Sequence, residues 1–174
     1  DDGESWWGSL GGLYRRRGLN EQAIRAYQQA AEVTPHSSYP FSNLAMLYMG
    51  EQDRDGMLRM FKRVERLAKG ETQADVDNYW AYADLLTAQL ALGKFSDAEE
   101  ALQSLFDTAP SDSPYALELL TDTLGRLMSA LGDEGEQSQK IESFIGRIQA
   151  QIDAAHAAKA ADAADSADKG GEER

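Results

Sequence analysis

The sequence predicts an all-α fold built from stacked helix pairs. Three observations carry this expectation. Residue types recur at a spacing of 34, so that Trp7-x-x-Leu10-Gly11-x-x-Tyr14 is followed by Phe41-x-x-Leu44-Ala45-x-x-Tyr48. Within each stretch these residues fall at i, i+3, i+4 and i+7, which is one face of a helix. No segment alternates apolar and polar residues over a strand's length, so no sheet is expected. A fixed period in this range marks an array whose units cannot bury their apolar faces alone.

The elements follow in chain order. Trp7, Leu10, Gly11 and Tyr14 define the first helix, and Gly18 stands just beyond it, where a helix end favours a residue free to take positive φ. Asn20 is the expected N-cap of the second helix. That helix buries Ala23, Tyr27 and Ala30 and ends before Pro35, because proline disfavours helical geometry in the residue preceding it. In the next unit Met57, Phe61 and Val64 repeat the triplet. Asp53-x-Asp55-Gly56 lacks the remaining ligands and terminal Glu of a calcium loop and reads as a turn opening a helix.

Seven extra residues, Thr72 to Asn78, precede the third unit. They suit an early helix start, with Thr72 as its cap. The third unit carries Tyr82, Leu85, Gly93, Ala98, Leu102, Leu105 and Pro110, and departs from the pattern at Leu86 and Gln89. Ser96-Asp97-Ala98-Glu99 reads as a capping box. Five more residues, Ser113 to Leu117, precede the fourth unit. There Ser113-Pro114 reads as a cap followed by proline at the first helical position. Longer first helices are therefore expected in units three and four. The fourth unit keeps Leu124-Gly125, Met128, Gly132, Ile141 and Phe144, but Gln137 replaces a small residue and is expected to disturb helix packing. From Ala154 the chain is rich in alanine, with high helix propensity and few large residues to anchor it.

This pattern resembles the tetratricopeptide repeat, a helix–turn–helix unit. Matched to that signature, the units span residues 4–37, 38–71, 79–112 and, in degenerate form, 118–151. The resemblance implies a right-handed superhelix of antiparallel helix pairs. It forms one domain over residues 1–153, followed by an Ala-rich acidic helix extension and tail over 154–174. It also implies protein–protein recognition by an adaptor or scaffold, not an enzyme. In that family the first helix of each unit lines a concave groove. The corresponding residues are Ser5, Arg15 and Arg16; Tyr39, Ser42, Asn43, Met46 and Met49; Trp80, Asp84 and Thr87; and Asp122 and Arg126. Aromatics give large contact area and methionine adapts to different shapes, which suits a peptide or partner protein. One specialised version of the family grips a C-terminal carboxylate with Lys, Asn and Arg. At the matching positions this chain has Gly8, Gly12, Asn43, Trp80 and Asp84. Only Asn43 agrees, and Asp84 repels a carboxylate. Two other readings remain open: an escort chaperone for secreted or assembling clients, and a regulatory domain cut from a larger enzyme or transcription factor.

Trp6 and Leu13 are seven residues apart and share a helical stripe distinct from that of Trp7. In a stacked array this stripe packs on a preceding element. Either it is an exposed end, or a preceding domain or a second copy of the chain covers it.

Charge narrows the partner. Residues 1–71 carry ten acidic and ten basic side chains, whereas residues 72–174 carry twenty acidic and seven basic, giving the net −13. Such acidity disfavours phosphate-backbone binding and anionic membrane surfaces. There is no cysteine, so neither disulfides nor thiolate metal sites are available. The two histidines, His36 and His156, have no histidine four residues away and no evident carboxylate partner. No cofactor, metal or catalytic group is expected. Gly8, Gly11 and Gly12 do not follow a strand or fit a phosphate loop. Arg15-Arg16-Arg17 and the stripe Arg59, Lys62, Arg66 and Lys69 read as solvated faces. No apolar run approaches the ~20 residues that span a bilayer. The chain begins Asp1-Asp2 without an initiator methionine, so it is expected to be a processed product or a piece of something longer. A cytoplasmic location is favoured, with export or a lost membrane anchor left open.

Overall fold

The computed structural model describes residues 2–110, 113–132 and 135–169. They form eight helices: α1 (Asp2–Arg16), α2 (Asn20–Val33), α3 (Tyr39–Gly50), α4 (Arg54–Ala74), α5 (Tyr79–Ala91), α6 (Phe95–Thr108), α7 (Tyr115–Leu131) and α8 (Glu136–Lys169). No strand occurs among the described residues. Each helix from α1 to α5 packs on the next in chain order, α7 packs on α8, and α5 also packs on α7.

Burial follows the repeat. The equivalent positions Tyr27, Phe61, Leu102 and Ile141 are each at most 1% exposed, so all four units point the same residue inward. Ala23, Tyr27, Leu44 and Leu47 join units one and two, with Phe41, Tyr48 and Met60 bridging toward a larger core. That core runs without a break from Ala45 to Ile152. Unit stacking, and not any one helix, therefore supplies the buried apolar area that stabilises the array.

The turn inside each unit is equally periodic. Residues 18, 52, 93 and 132 take positive φ; three are glycine and the other is Gln52, at 59°. In the first three units the backbone N–H that follows donates back to the first helix: Leu19 to Tyr14, Asp53 to Tyr48 and Lys94 to Gln89, at 2.8–2.9 Å. This closed turn satisfies orphan carbonyls at the helix end and fixes where the second helix starts. Several expected caps are corrected for that reason. Asn20 lies one residue inside α2, which has no side-chain cap; its amide instead donates to Glu51 in the next unit. Ser96 lies inside α6, whose cap position is Lys94, so the capping box does not form. Within the turns of the first three units, Asp53 alone stands where a side-chain cap is needed, accepting from the Gly56 N–H at 2.8 Å.

The Thr72 expectation is also overturned. Phe61, Val64, Ala68 and Thr72 continue one buried stripe, so α4 simply extends to Ala74. Thr72 is buried and donates to the Lys69 carbonyl instead of capping a helix. α5 then begins at Tyr79 with Asn78 as its side-chain cap, and at 13 residues it is not lengthened. α7, at 17 residues, is the long first helix expected of unit four, although Pro114 sits at its cap and not inside it. Gln137 does not disturb packing. Its amide donates to the carbonyls of Leu90 and Ala91, at 2.9 and 3.1 Å, and so ties the start of α8 to the end of α5.

Gly11 is required by close approach. A Cβ there would lie 2.8 Å from the ring of Tyr27, which is buried on every side. Gly11→Ala therefore overpacks the α1–α2 contact, costing about 1–3 kcal/mol, offset by about 1 kcal/mol of helix propensity. A net loss of about 1 kcal/mol is expected in chemical denaturation; equal or greater stability would show that the ring can move aside.

Candidate functional site

The first helices of the units face one cleft of about 740 Å³. It brings together Arg15 of α1, Tyr39, Ser42, Asn43 and Met46 of α3, Trp80, Asp84 and Thr87 of α5, and Asp122 and Arg126 of α7. Two residues expected there lie elsewhere. Arg16 is exposed at the end of α1, beside Gly12. Met49 is buried in the core and lines a shallower neighbouring depression with Asp122 and Arg126. Ser5 lies outside the residues whose side chains are described.

The cleft has an apolar wall that is not satisfied internally. Tyr39, Trp80 and Leu119 are 45%, 47% and 40% exposed, yet all three line it. Tyr39 is positioned by Gly8, where a Cβ would meet its ring at 2.8 Å, and by an edge-on contact with Tyr27 at 6.2 Å. Burial, then the neighbouring Tyr39, pushes the Tyr27 phenol up to about 12.

The floor is polar and was only partly visible in the sequence. Ser38, buried at the start of α3, was missed, and so was Glu71 of α4. Glu71 accepts from the Ser38 backbone N–H at 2.8 Å and from the Ser38 hydroxyl at 2.6 Å. One carboxylate thus satisfies the N-terminus of a helix in its own unit, where the helix dipole favours negative charge. Asp84 stands on the opposite side. It accepts from the Ser42 hydroxyl at 2.8 Å, and its other oxygen lies 3.2 Å from the Ser38 hydroxyl. Burial pushes the Asp84 carboxyl up to about 6 and the Glu71 charge adds to this, while the hydrogen bonds from Ser42 and Ser38 oppose it. The extra turns of α4 are what hold Glu71 in a continuous helix beside Ser38. A local signal for this exists only in hindsight, because Glu71 falls at a unit boundary outside the repeat pattern.

Elsewhere the chemistry is sparse. His36 is exposed in the turn between units. His156 lies on α8 and, contrary to expectation, meets a carboxylate, Glu118, at 3.3 Å. No group of three metal-ligating side chains occurs among the described residues. Arg59, Lys62, Arg66 and Lys69 are all exposed along α4. At the N-terminal edge Trp6 is 61% exposed with its ring edge-on to Trp7, and Leu13 is half-buried. No helix among the described residues is long and apolar enough to cross a membrane.

Residues 6–37 match a family model described as "Tetratricopeptide repeat". The chain carries a tetratricopeptide repeat. A repeat of this family supports a protein–protein interaction module. No curated protein matches it. Among solved structures it is similar to one titled "Crystal structure of MamA protein", with 21% identity over 91% of this chain and 84% of that one and a TM-score of 0.44. It is also similar to "Crystal structure of MamA", with 22% identity, 87% and 85% coverage and a TM-score of 0.41. A third, "MamA MSR-1 C2", has 16% identity, 81% and 76% coverage and a TM-score of 0.42.

Proposed function

We propose that the tetratricopeptide array binds a segment of a partner polypeptide in the cleft between α3, α5 and α7, as an adaptor or scaffold does. The observation that supports this is the convergence of Tyr39, Trp80 and Leu119 on one concave surface. Scattered exposed apolar residues need no explanation, but a contiguous concave set marks a binding surface. The walls are helices that already pack on their neighbours, so the receptor loses little freedom on binding. Tyrosine and tryptophan in such a position are the side chains that dominate interface energies.

Selection of a displayed random peptide library on the whole chain tests the reading. Trp80→Ala and Tyr39→Ala should each lower retention of the selected peptides by about tenfold or more. Val76→Ala, at a still more exposed apolar site outside the cleft, should not. Retention that survives both cleft substitutions would move the site to the convex face or to an end of the array.

A further inference from the structure

We propose that the segment held in the cleft carries a lysine or arginine, whose cationic head docks between Glu71 and Asp84 while its aliphatic stem runs along Tyr39 and Trp80. This rests on the reading of the cleft as the binding surface and adds the chemistry of its occupant.

The carboxylates are the starting point. Glu71 and Asp84 converge on the single hydroxyl of Ser38, at 2.6 and 3.2 Å. A serine hydroxyl has one hydrogen to donate. The shorter contact takes it, which leaves one oxygen of Asp84 facing a hydroxyl lone pair. Ser42 serves the other oxygen. None of the ion pairs among the described residues includes either carboxylate. The cations of the cleft stand apart from this floor: Arg15 donates to the Asn43 side chain, and Arg126 lies on the α7 wall. Asp84, short of a donor on one oxygen, stands beside the Glu71 charge and lines the cleft; the pair is complementary to an incoming group that brings several N–H donors and a positive charge.

The rest of the cleft fits the same group. Aromatic faces attract cations, and a lysine or arginine stem covers apolar surface while its head reaches a polar partner. Room on this scale accepts neighbouring residues as well, so the occupant is a polypeptide segment and not a free amine. Arg15 and Arg126 on opposite walls disfavour further basic residues beside the first. The motif is thus one basic residue with uncharged or acidic neighbours. That single charge is consistent with a chain whose net charge is −13.

Four pools of fluorescein-labelled synthetic peptides test this, alike except for a fixed central lysine, arginine, norleucine or glutamate. Polarisation with the whole chain at about pH 7.5 should show the lysine and arginine pools binding about tenfold tighter than norleucine. Glutamate should bind weakest. Asp84→Asn should bring the lysine pool down to the norleucine level, and Trp80→Ala should weaken every pool. Below about pH 6, where Asp84 takes a proton, the lysine preference should fall in the parent chain. Glu71, Arg15, Asp122 and Arg126 face the same cleft, so loss of this pH response in Asp84→Asn identifies its source. Norleucine binding as tightly as lysine, or a lysine preference that survives Asp84→Asn, overturns the proposal while the cleft still binds peptides. Pools indifferent to Trp80→Ala would overturn the cleft reading itself.

Discussion

Phe61→Ala will destabilise the chain by about 3–5 kcal/mol. The residue is 1% exposed on α4 and sits in the core that continues through α5, α6, α7 and α8. It occupies the position that Tyr27, Leu102 and Ile141 fill in the other units. Truncation removes the transfer free energy of the ring and leaves a cavity that helices packed on both sides cannot close. In a repeat array stability is the sum of units and their nearest-neighbour contacts. A defect in α4 weakens its contacts with both α3 and α5, whereas the same change at Tyr27 touches the first unit and its one neighbour. Against a total of about 5–15 kcal/mol, the loss should lower the thermal midpoint by about 10 °C or more. Urea denaturation gives the comparison directly. A loss under about 1 kcal/mol would mean that the second and third units do not share an interior.

Asp84→Asn will have the opposite sign. The folded protein holds Asp84 at about 6, against an ordinary value of 3.8. The neutral acid is therefore the form the fold prefers. Its contribution is fully present below about pH 4 and is lost as pH rises through about 6. Above that range the ionised carboxylate costs about 1–3 kcal/mol, the lower end allowing for the open side of the cleft. Asparagine reproduces the neutral acid: its oxygen accepts from Ser42, and its amide donates to the Ser38 hydroxyl, whose hydrogen then serves Glu71 alone. The variant should be more stable than the parent chain at about pH 7.5, and the gap should close near pH 4. Comparing the two proteins at each pH cancels the other carboxylates. A variant less stable at neutral pH would show that the ionised carboxylate is well satisfied by its surroundings. A group that lowers stability in the free protein, and whose cost a bound cation would offset, is what a binding site often contains.

The fold was legible because its determinants are periodic. The large-small-aromatic spacing, the positive-φ residues and the buried triplets all lie within single helices or turns, and each repeats. Gln52 shows how strong that signal is, since it holds the left-handed geometry of its unit although it is not glycine. The errors came where local propensity competes with a turn already fixed by backbone hydrogen bonds. Ser96 and Asn20 are good capping residues one or two positions from where the turn lets a helix begin. Much of the cleft was legible too, because a residue's place in the repeat sets which way it points. Ser38 and Glu71 were not. They sit at a unit boundary, and their pairing depends on how far α4 continues, which Ala68 and Thr72 decide by extending a buried stripe.

The long terminal helix gives the molecule a direction. Ile141, Phe144, Ile148 and Ile152 are buried along one side of α8, while Glu142, Gln149 and Asp153 face water. With Gln137 clasping the carbonyls of α5, that helix works as an end-plate: greasy inside, hydrated outside. At the opposite pole Trp6 faces outward. The two ends are chemically unlike, and the described stack reads as an arrow with a sealed tail.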